Sequence, residues 1–572
     1  MRKMNTSYVS VARPSPPPVR RGRATACGVV TLLLICAAGC DLPDPFVPAR
    51  PNAERGHTYY VSPDGDDEND GLSPARPWRT LAQADTIRFK PGDRLRLKGG
   101  ARHRGTLTIG AGDAGSAKAP VVIESYGKGR ATIAAPGTAG ISVHNTAGIE
   151  VRGIVLVGDA RSYARKDGIR FFSDLPRDRK LDHVVISAVD VSRFRHGVRI
   201  GGGRGATGFS NVTVKDAKLH GNKDAGLVTY GPDFEPDDPA YAHEKLKLVR
   251  IQAYENPGDP RAGTRNTGSG IVLGSVRGGL VDRSTSHHNG AQSSAVAQEG
   301  PEGIWTYDST EMVIQRSVSY ANRTGSRVDG GGFGLDNNVS SSVLQYNLSF
   351  DNDGAGYLIY SANGNGAHRD NTVRFNLSDN DSRKLPWYGG IVAYGARVKN
   401  LNLYHNTVVT KKNPRRVQQA PALRLEQGLR NVKIRNNIFV TDGAPLIDSE
   451  HAYKPTAVRF QGNDYFSTDT WKVKWGPGVY PTLREWRAAA VGQERLGAQP
   501  TGTDADPCLE SAATPIRSVA GADTMVPGCG EALENAALDL RVLGVDLGSV
   551  DYFGERLAPT VAAGAAQPRS AE

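Results

Sequence analysis

Short strands with one buried face recur along most of the chain. A small residue is followed by an apolar residue, any residue and a second apolar residue, as in Gly303-Ile-Trp-Thr. An apolar residue at every second position is typical of a strand that buries one face. Copies of the pattern begin at Gly140, Gly168, Gly197, Gly226, Gly270, Gly303, Gly332, Gly356, Gly390 and Ala422. Repetition on this scale predicts a solenoid.

A second column of small polar residues occupies the other half of each repeat. Its members are Ser317, Asn347, Asn376, Asn406 and Asn437, separated by 30, 29, 30 and 31 residues. A coil of near-constant length with two or three short strands stacks on itself, so each strand pairs in parallel with its copy about 4.8 Å away. Stacked asparagines can hydrogen-bond along the axis, and we assign most of them to structure. The pattern predicts an all-β fold, a parallel β-helix.

Both ends of such a solenoid need caps, because an open coil exposes unpaired strand edges. The segment His57-Thr-Tyr-Tyr-Val-Ser-Pro-Asp-Gly-Asp, with Asn69-Asp-Gly-Leu-Ser-Pro and Pro77-Trp-Arg-Thr-Leu-Ala-Gln-Ala, resembles the entry segment of the pectate-lyase-like β-helix superfamily. The stretch Asp551-Tyr-Phe-Gly-Glu-Arg-Leu-Ala-Pro resembles the closing segment of the same proteins. The resemblance implies a right-handed parallel β-helix solenoid of about ten or more coils with N-terminal and C-terminal caps.

The N-terminus carries the pattern of an export signal. Basic residues up to Arg23 precede a short apolar run ending at Cys36, and Ala37-Ala-Gly-Cys follows. This order predicts a signal peptide that is too short for a stable membrane anchor. The last four residues resemble a bacterial lipobox, which implies acylation of Cys40; ordinary cleavage and free secretion is the alternative. We expect an exported chain, a cell-surface lipoprotein or a secreted protein, that meets the membrane only through this lipid.

These features divide the chain into segments. We predict a signal peptide over 1–39, a proline-rich spacer over 40–56, an N-terminal cap with the first strands over 57–120, the β-helix over 121–466 and a C-terminal cap over 467–572. Beyond the signal and Cys40, the cysteines are Cys508 and Cys529. An even pair in an oxidising compartment predicts a disulfide.

Removing the signal changes what the charge implies. The whole chain has a formal net charge of +11, and the signal segment holds six basic residues and no acidic ones, so the remainder carries +5. The body has no basic run and no recognisable binding motif, so we expect no nucleic-acid partner. We expect a monomer whose partner is a polysaccharide.

Candidate binding residues lie on the outward face of the repeated strand. Positions +2 and +4 from the repeat glycine should face solvent on one continuous sheet. Trp305 occupies position +2 of its repeat, and Tyr307, Tyr360 and Tyr394 occupy position +4. Aromatic rings suit the C–H faces of sugar rings, so this column predicts a saccharide-binding face. A purely structural aromatic stack is the alternative.

Acidic residues add candidate chemistry at one point of this face. Asp329 and Asp353 each lie three residues before a repeat glycine, which predicts neighbouring positions on adjacent coils, and Asp336 ends the intervening strand. Two adjacent carboxylates cannot both ionise cheaply. They either share a proton, which provides a general acid, or hold Ca²⁺, which can bind a uronate. The alternative is that these Asp-Gly pairs only form turns.

The stretch from Glu302-Gly-Ile-Trp through 329–336 to Asn352-Asp-Gly-Ala-Gly resembles a signature of secreted bacterial β-helix proteins. The superfamily includes polysaccharide lyases, glycoside hydrolases, uronan epimerases and adhesins, so the fold does not choose a function. The chain lacks the pectinase motifs of inverting glycoside hydrolases and the Asp-Pro-His motif of alginate epimerases.

We therefore predict an extracellular protein that cleaves a polysaccharide, with uronan lyase slightly favoured over glycoside hydrolase. A non-catalytic protein that binds glycan or cell wall is the alternative. The predicted catalytic residues are Asp329, Asp336 and Asp353, with Ca²⁺ between the first and the last of them. The predicted substrate-binding residues are Trp305, Tyr307, Tyr360, Tyr394 and Arg327. Candidates for a lyase base are His287, His288, Arg327, Tyr307 and Tyr360.

Overall fold

Three long parallel sheets form the protein in the computed structural model, which describes residues 56–159, 166–362 and 364–568. Each coil adds one strand to each sheet in turn, and each strand pairs in parallel with its copy on the next coil. At the end of the third sheet, Gly478–Tyr480 pairs antiparallel with Val473–Trp475. The predicted parallel β-helix is confirmed, with three strands per coil. The predicted signal peptide and Cys40 lie outside the described residues.

The strands fall into three stacks, which we call sheets 1, 2 and 3. Sheet 1 contains Thr58–Val61, Arg94–Lys98, Val121–Tyr126, Ile149–Arg152, Lys180–Ser187, Gly208–Lys215, His243–Val249, Val276–Asp282, Thr310–Gln315, Val343–Gln345, Thr372–Arg374, Asn402–Tyr404, Val432–Arg435 and Val458–Gln461. Sheet 2 contains Arg102–Arg104, Ala131–Ala134, Ile154–Val157, Asp190–Ser192, Lys218–His220, Gln252–Tyr254, Thr285–His287, Val318–Tyr320, Leu348–Phe350, Leu377–Asp379, Thr407–Thr410, Ile438–Thr441 and Asp464–Ser467. Sheet 3 contains Leu107–Ile109, Ile141–His144, Ile169–Ser173, His196–Gly202, Ala225–Tyr230, Ser269–Gly274, Glu302–Tyr307, Gly331–Leu335, Tyr357–Ser361, Ile391–Gly395, Leu423–Leu425, Ile447–Ser449, Val473–Trp475 and Gly478–Tyr480.

The remaining elements are short. Val398–Lys399 pairs with Leu429–Arg430, and Arg495–Leu496 pairs with Gln499–Pro500. The α-helices are Leu81–Ala84, Leu483–Ala489 and Glu531–Ala536, and the 3₁₀ helices are Glu510–Ala512, Val519–Met525 and Leu540–Leu543. Among the described residues, no helix is long and apolar enough to cross a membrane.

The core is built from side chains that repeat in register from coil to coil. On sheet 3, Ile304 pairs with Phe333, which pairs with Tyr357, and all three are buried. The rings of Phe333 and Tyr357 stack with centroids 5.3 Å apart. The hydroxyl of Tyr357 donates to the carbonyl oxygens of Asn347 and Leu377 at 2.8 and 2.9 Å, so its polar end is satisfied. Burying each such side chain stabilises the fold by about 1.5–3 kcal/mol.

Asparagine ladders run along the axis between sheets, as predicted. In one ladder the side-chain amide of each asparagine donates to the amide oxygen of the next, through Asn347, Asn376, Asn406, Asn437 and Asn463. The carboxylate of Glu494 accepts the last bond, at 2.7 Å. A parallel ladder contains Asn256, Asn289, Asn322 and Asn352 and ends at Asp381. These asparagines are therefore structural.

Two short helices cover the ends of the core. Thr80 caps the helix Leu81–Ala84 by accepting the N–H of Gln83 at 3.1 Å. At the other end, the helix Leu483–Ala489 places the buried ring of Trp486 against Phe460 and Trp475. Both helices therefore shield the first or last turns of apolar side chains from water.

The chain after this second helix returns along the side of the coils. The outward positions of sheet 2 from Leu348 to Val440 are mostly apolar, with Asp379 and Thr407 as polar positions among them, and the serines at 349 and 378 point inward. Segment 509–565 supplies the apolar side chains that cover this face. The amide of Ile516 donates to Asp379, and that of Ala565 donates to Thr407, at 2.5 and 3.0 Å. A disulfide joins Cys508 and Cys529, with 5.3 Å between their Cα atoms. Part of the predicted cap is therefore a side cover.

Candidate active site

The outward face of sheet 3 holds a cavity of about 540 Å³. Polar and charged side chains from the earlier coils line one end, acidic side chains come from the middle coils, and aromatic rings extend from the middle coils to the later ones. The acidic residues are Glu302, Asp329 and Asp336, the aromatic residues are Trp305, Tyr307, Tyr360, Tyr388 and Tyr394, and the polar end includes Arg195, His196, Asp224 and Arg265. The predicted saccharide face thus coincides with a concave surface.

The register of sheet 3 sets the positions of the predicted aromatic residues. Tyr360 pairs with Tyr394, and their ring centroids are 4.6 Å apart. Tyr307 pairs with Gly274, where a Cβ atom would lie 2.2 Å from the Tyr307 ring, so the glycine makes room for the ring. The indole N–H of Trp305 donates to Ser269 at 3.2 Å. All four predicted aromatic side chains line the cavity.

Asp329 is held at the cavity wall by two donors. Its carboxylate accepts the backbone N–H of Gly300 at 2.7 Å and the hydroxyl of Tyr388 at 2.9 Å. The same Tyr388 oxygen accepts the backbone N–H of Asp329, so the hydroxyl bridges the residue's own amide and carboxylate. Burial raises the pKa of Asp329 to about 6, and the two donors oppose this rise because they stabilise the charged form.

Asp336 lies at the end of the strand Gly331–Leu335 and has fewer donors. One carboxylate oxygen accepts the backbone N–H of Asn337 at 2.6 Å. Burial, together with the charge of Asp329, raises the pKa of Asp336 to about 8. This group is therefore predominantly protonated at neutral pH, when Asp329 is predominantly ionised.

Glu302 is a third acidic group, and the sequence did not identify its role. It begins the strand Glu302–Tyr307 and is buried against the next coil. Burial raises its pKa well above the usual range, and the charges of Asp329 and Asp336 raise it further. Because the three carboxyl groups interact electrostatically, they share their protons as one system. Such a system can donate and accept a proton at neutral pH.

Asp353 does not join this group, contrary to the sequence prediction. It occupies the position that corresponds to Asp329 on the next coil, as predicted. However, its carboxylate accepts the backbone N–H of Thr324 at 3.0 Å and lies 3.8 Å from Arg323. It is not among the residues that line the cavity. Its side chain makes a turn contact with the preceding coil, which is the alternative that the Asp-Gly pattern left open.

The calcium prediction has no geometric support in the part of the chain that the structure describes. There, no group of three or more His, Cys, Asp or Glu side chains is arranged to hold a metal ion. Asp329 and Asp353 each accept a backbone N–H from a different turn. Calcium between them stays an untested prediction.

The predicted base candidates separate into two places. His287 ends a strand of sheet 2, where its ring stacks between Tyr254 and Tyr320 with centroids 5.2 and 4.8 Å away, and His288 packs at its edge. Neither histidine lines the cavity. Tyr307 and Tyr360 do, but burial raises the pKa of both phenols, so a smaller fraction of either is ionised and able to accept a proton at neutral pH.

Arg327 lies beside a second cavity of about 470 Å³ that adjoins the first. Val328, Tyr388 and Tyr394 line both cavities, so Asp329 lies next to their junction. The second cavity also contains Leu385, Pro386 and Trp387, which the sequence analysis did not identify. The ring of Trp387 packs edge-on against Tyr388, with the centroids 4.8 Å apart. The aromatic surface therefore extends beyond the acidic group.

The polar end of the first cavity has its own ion pairs. Asp224 accepts the guanidinium of Arg195 at 2.6 Å and lies 3.8 Å from Arg265. The ring of His196 lies 2.8 Å from Asp167. The positive charges here are paired with carboxylates, so this end offers directed hydrogen bonds rather than a strong positive field.

Comparison with known proteins finds little similarity in sequence. No family model matches the chain. A curated protein named lacto-N-biosidase, from Bifidobacterium longum subsp. longum, is 37% identical over 91 residues, which make up 15% of this chain and 6% of that protein. The chain therefore matches a small fraction of that relative's length.

Solved structures with a similar fold are distant in sequence. A GH136 lacto-N-biosidase from Eubacterium ramulus has a TM-score of 0.46 and 15% identity, over 74% of this chain and 67% of that one. XylC in complex with xylose has a TM-score of 0.48 and 10% identity, over 89% and 98% of the two chains. The pectate lyase Pel9A has a TM-score of 0.41 and 14% identity, over 90% and 96%.

Proposed function

We propose that the chain is an extracellular glycoside hydrolase that cleaves a neutral glycan in the cavity on sheet 3. The observation that carries this proposal is the grouping of Glu302, Asp329 and Asp336 in one cavity walled by aromatic rings. Two carboxyl groups of different pKa are what glycoside hydrolysis requires, one protonated and one ionised.

The different environments of the two aspartates support a different catalytic role for each. Asp336, with a pKa of about 8, donates its proton to the glycosidic oxygen as the bond to the anomeric carbon breaks. Asp329, with a pKa of about 6, is the carboxylate that either attacks the anomeric carbon or takes a proton from the attacking water. The sugar product then keeps or inverts its anomeric configuration, according to which of these two roles Asp329 plays.

The same environments disfavour the uronan lyase that the sequence slightly favoured. A lyase must neutralise the uronate carboxylate and remove the neighbouring proton with a base. The acidic side chains of the cavity would repel a uronate, and Arg195 and Arg265 lie beside Asp224, away from the acidic coils and next to a carboxylate of their own. Burial raises the pKa of Tyr388 and Tyr394, so these phenols resist ionisation. Hydrolysis of a neutral sugar meets neither difficulty.

The curated relative gives the proposal independent but limited support. Its name, lacto-N-biosidase, is that of a glycosidase, and the local identity of 37% extends over 91 residues. The substrate of this chain does not follow from that name.

A panel of neutral aryl glycosides, oligosaccharides and uronans tests the proposal. We expect new reducing ends from neutral glycans, no absorbance of unsaturated uronides, and loss of turnover in Asp329→Asn and Asp336→Asn. Unsaturated products would support the lyase instead. Binding to a glycan array without cleavage, unchanged in both variants, would support the non-catalytic alternative.

Azide separates the two roles. The readout is the anomeric configuration of the glycosyl azide. Asp329→Asn should give a glycosyl azide of inverted configuration, because azide takes the place of the missing carboxylate beside the anomeric carbon. A glycosyl azide of inverted configuration from Asp336→Asn instead would exchange the two assignments without overturning hydrolysis.

A further inference from the structure

Glu302 has a carboxyl group without a hydrogen-bond partner in the part of the chain that the structure describes. The residue is 4% exposed and lines the cavity together with Asp329 and Asp336. Neither carboxyl oxygen has a hydrogen-bond partner among the described residues. Buried polar groups in folded proteins nearly always have a partner, so an exception needs an explanation.

The next coil is shaped to hold this side chain. Glu302 pairs in register with Gly331, and its carboxyl group extends over Gly334. A Cβ atom at Gly334 would lie 2.1 Å from one carboxyl oxygen, and a Cβ atom at Gly331 would lie 3.4 Å from the other. Two glycines on one strand therefore leave the space that Glu302 occupies.

Over residues 56–159, 166–362 and 364–568, no cationic side chain offsets the burial of this carboxyl group. The charges that act on it are those of Asp329 and Asp336, and both oppose its ionisation. Glu302 is therefore a neutral acid, which presents one O–H donor beside one carbonyl acceptor. An apolar ligand would leave both unsatisfied, and a negatively charged ligand would meet Asp329 close by.

We propose that the carboxyl group of Glu302 recognises the substrate by hydrogen-bonding a pair of vicinal hydroxyls on the neutral sugar bound in this cavity. The inference rests on the proposed glycosidase function and specifies its substrate class. Vicinal hydroxyls place a donor and an acceptor side by side, which matches the neutral carboxyl group. The sugar that occupies this position therefore carries these two hydroxyls free, without substituents.

Thermal unfolding of the full chain separates recognition from a structural role. Replacing Glu302 with leucine removes an unsatisfied polar group, so Glu302→Leu should keep the melting temperature or raise it by about 1–3 °C. The matched control is Glu494→Leu. Glu494 is also buried, but it accepts bonds from Gly462, Asn463, Tyr465 and Thr501 at 2.7–2.8 Å. The control should melt several degrees lower, and a similar fall in Glu302→Leu would overturn the proposal.

Kinetics on a cleaved aryl glycoside test the recognition itself. Glu302→Gln keeps a donor and an acceptor and should retain kcat/KM within about fivefold, whereas Glu302→Leu should lose about 10–100-fold, mainly through a higher KM. Mono-O-methyl derivatives of the same glycoside should be poor substrates for the wild type. Methylation of the recognised hydroxyl should lower the kcat/KM of Glu302→Leu only slightly, because this variant already lacks the hydrogen bond between residue 302 and that hydroxyl.

The outcomes distinguish the two proposals. A wild type that cleaves no glycoside in the panel overturns the proposed function. A wild type that cleaves one, with Glu302→Leu equally active or equally sensitive to methylation, overturns the role of Glu302 alone.

Discussion

Two outward faces of the same β-helix differ in what covers them. Between Leu348 and Val440, sheet 2 presents apolar side chains, and the chain's own segment 509–565 packs over them. On sheet 3, the acids and aromatic rings around Glu302 line an open cavity and are not covered by that segment. The strands of successive coils are alike in backbone and register, so the difference lies in the outward side chains and in the turns beside them, which contribute Asp329 and Tyr388 to the cavity.

Two buried glutamates, Glu494 and Glu302, show a similar contrast in how their carboxyl groups are satisfied. Glu494, which ends an asparagine ladder, accepts bonds from four residues of the protein. Glu302 accepts none from the described residues. A polar group that is satisfied internally contributes to the fold, whereas an unsatisfied one at a cavity is available to a ligand.

The largest effect should come from the acid on the open face. Asp336→Asn should lower kcat about 10³-fold on glycosides with poor leaving groups, because the general acid is lost. With a nitrophenyl or fluoride leaving group the loss should be much smaller, since little protonation is needed. Equal losses on both kinds of substrate would contradict the role of Asp336 as acid. Steady-state kinetics on matched pairs of substrates provide the measurement.

On the covered face, the expected effect is on stability alone. Leu377→Ala creates a cavity between sheet 2 and the C-terminal segment, where Leu377 is fully buried. We expect a loss of about 2–5 kcal/mol in the free energy of unfolding, measured in urea. The value of kcat/KM at 25 °C should stay unchanged. A comparable loss of activity would show that the two faces are coupled.

The pH dependence of kcat/KM should be bell-shaped around neutrality. Activity rises as Asp329 ionises near its pKa of about 6 and falls as Asp336 loses its proton near about 8. The Tyr388 hydroxyl lowers the pKa of Asp329, so Tyr388→Phe should move the acidic limb to higher pH and reduce activity about tenfold at pH 6. An acidic limb that stays in place would show that another group controls it.

The smallest effect should come from Asp353. Its side chain contacts Thr324 and Arg323 outside the cavity, so Asp353→Asn should change kcat/KM by less than about twofold and cost about 1 kcal/mol of stability. Treatment with EDTA should likewise leave activity unchanged. A different result would support the predicted calcium site between Asp329 and Asp353. In that case EDTA would abolish the activity of the wild type, calcium would restore it, and Asp353→Asn would show no such response.

The repeat made the fold and part of the site predictable from the sequence. Aligning the repeat glycines placed Tyr307, Tyr360 and Tyr394 on one face and Asp329 near Asp336, because register carries over from coil to coil. Register does not determine where a turn side chain points. Asp353 was therefore placed on the correct coil but assigned to the wrong surroundings.

The missed residues had weaker signals. Tyr388 and Trp387 lie on the loop between Leu377–Asp379 of sheet 2 and Ile391–Gly395 of sheet 3, outside any repeated column. Glu302 lies in a repeated column, and the sequence feature that points to its role is the pair of glycines Gly331 and Gly334 on the next coil. In the sequence these glycines look like ordinary members of the repeat, although in the structure they leave space for the Glu302 side chain. The covering of sheet 2 by the C-terminal segment could not be predicted from the alternation in Asn-Leu-Ser-Phe. An apolar face of a strand usually points into the core, whereas here the serine points inward and the apolar residues point outward.

The side cover also sets an order of events when the chain is made. Residues 509–565 follow every coil in the sequence, so synthesis from the N-terminus produces the apolar surface of sheet 2 before the segment that covers it. Until the covering segment is made, the coils from Leu348 to Val440 expose an apolar surface through which neighbouring chains can aggregate. The protein is therefore protected from this aggregation only when segment 509–565 has been made and has packed on sheet 2, and not when the last coil has formed.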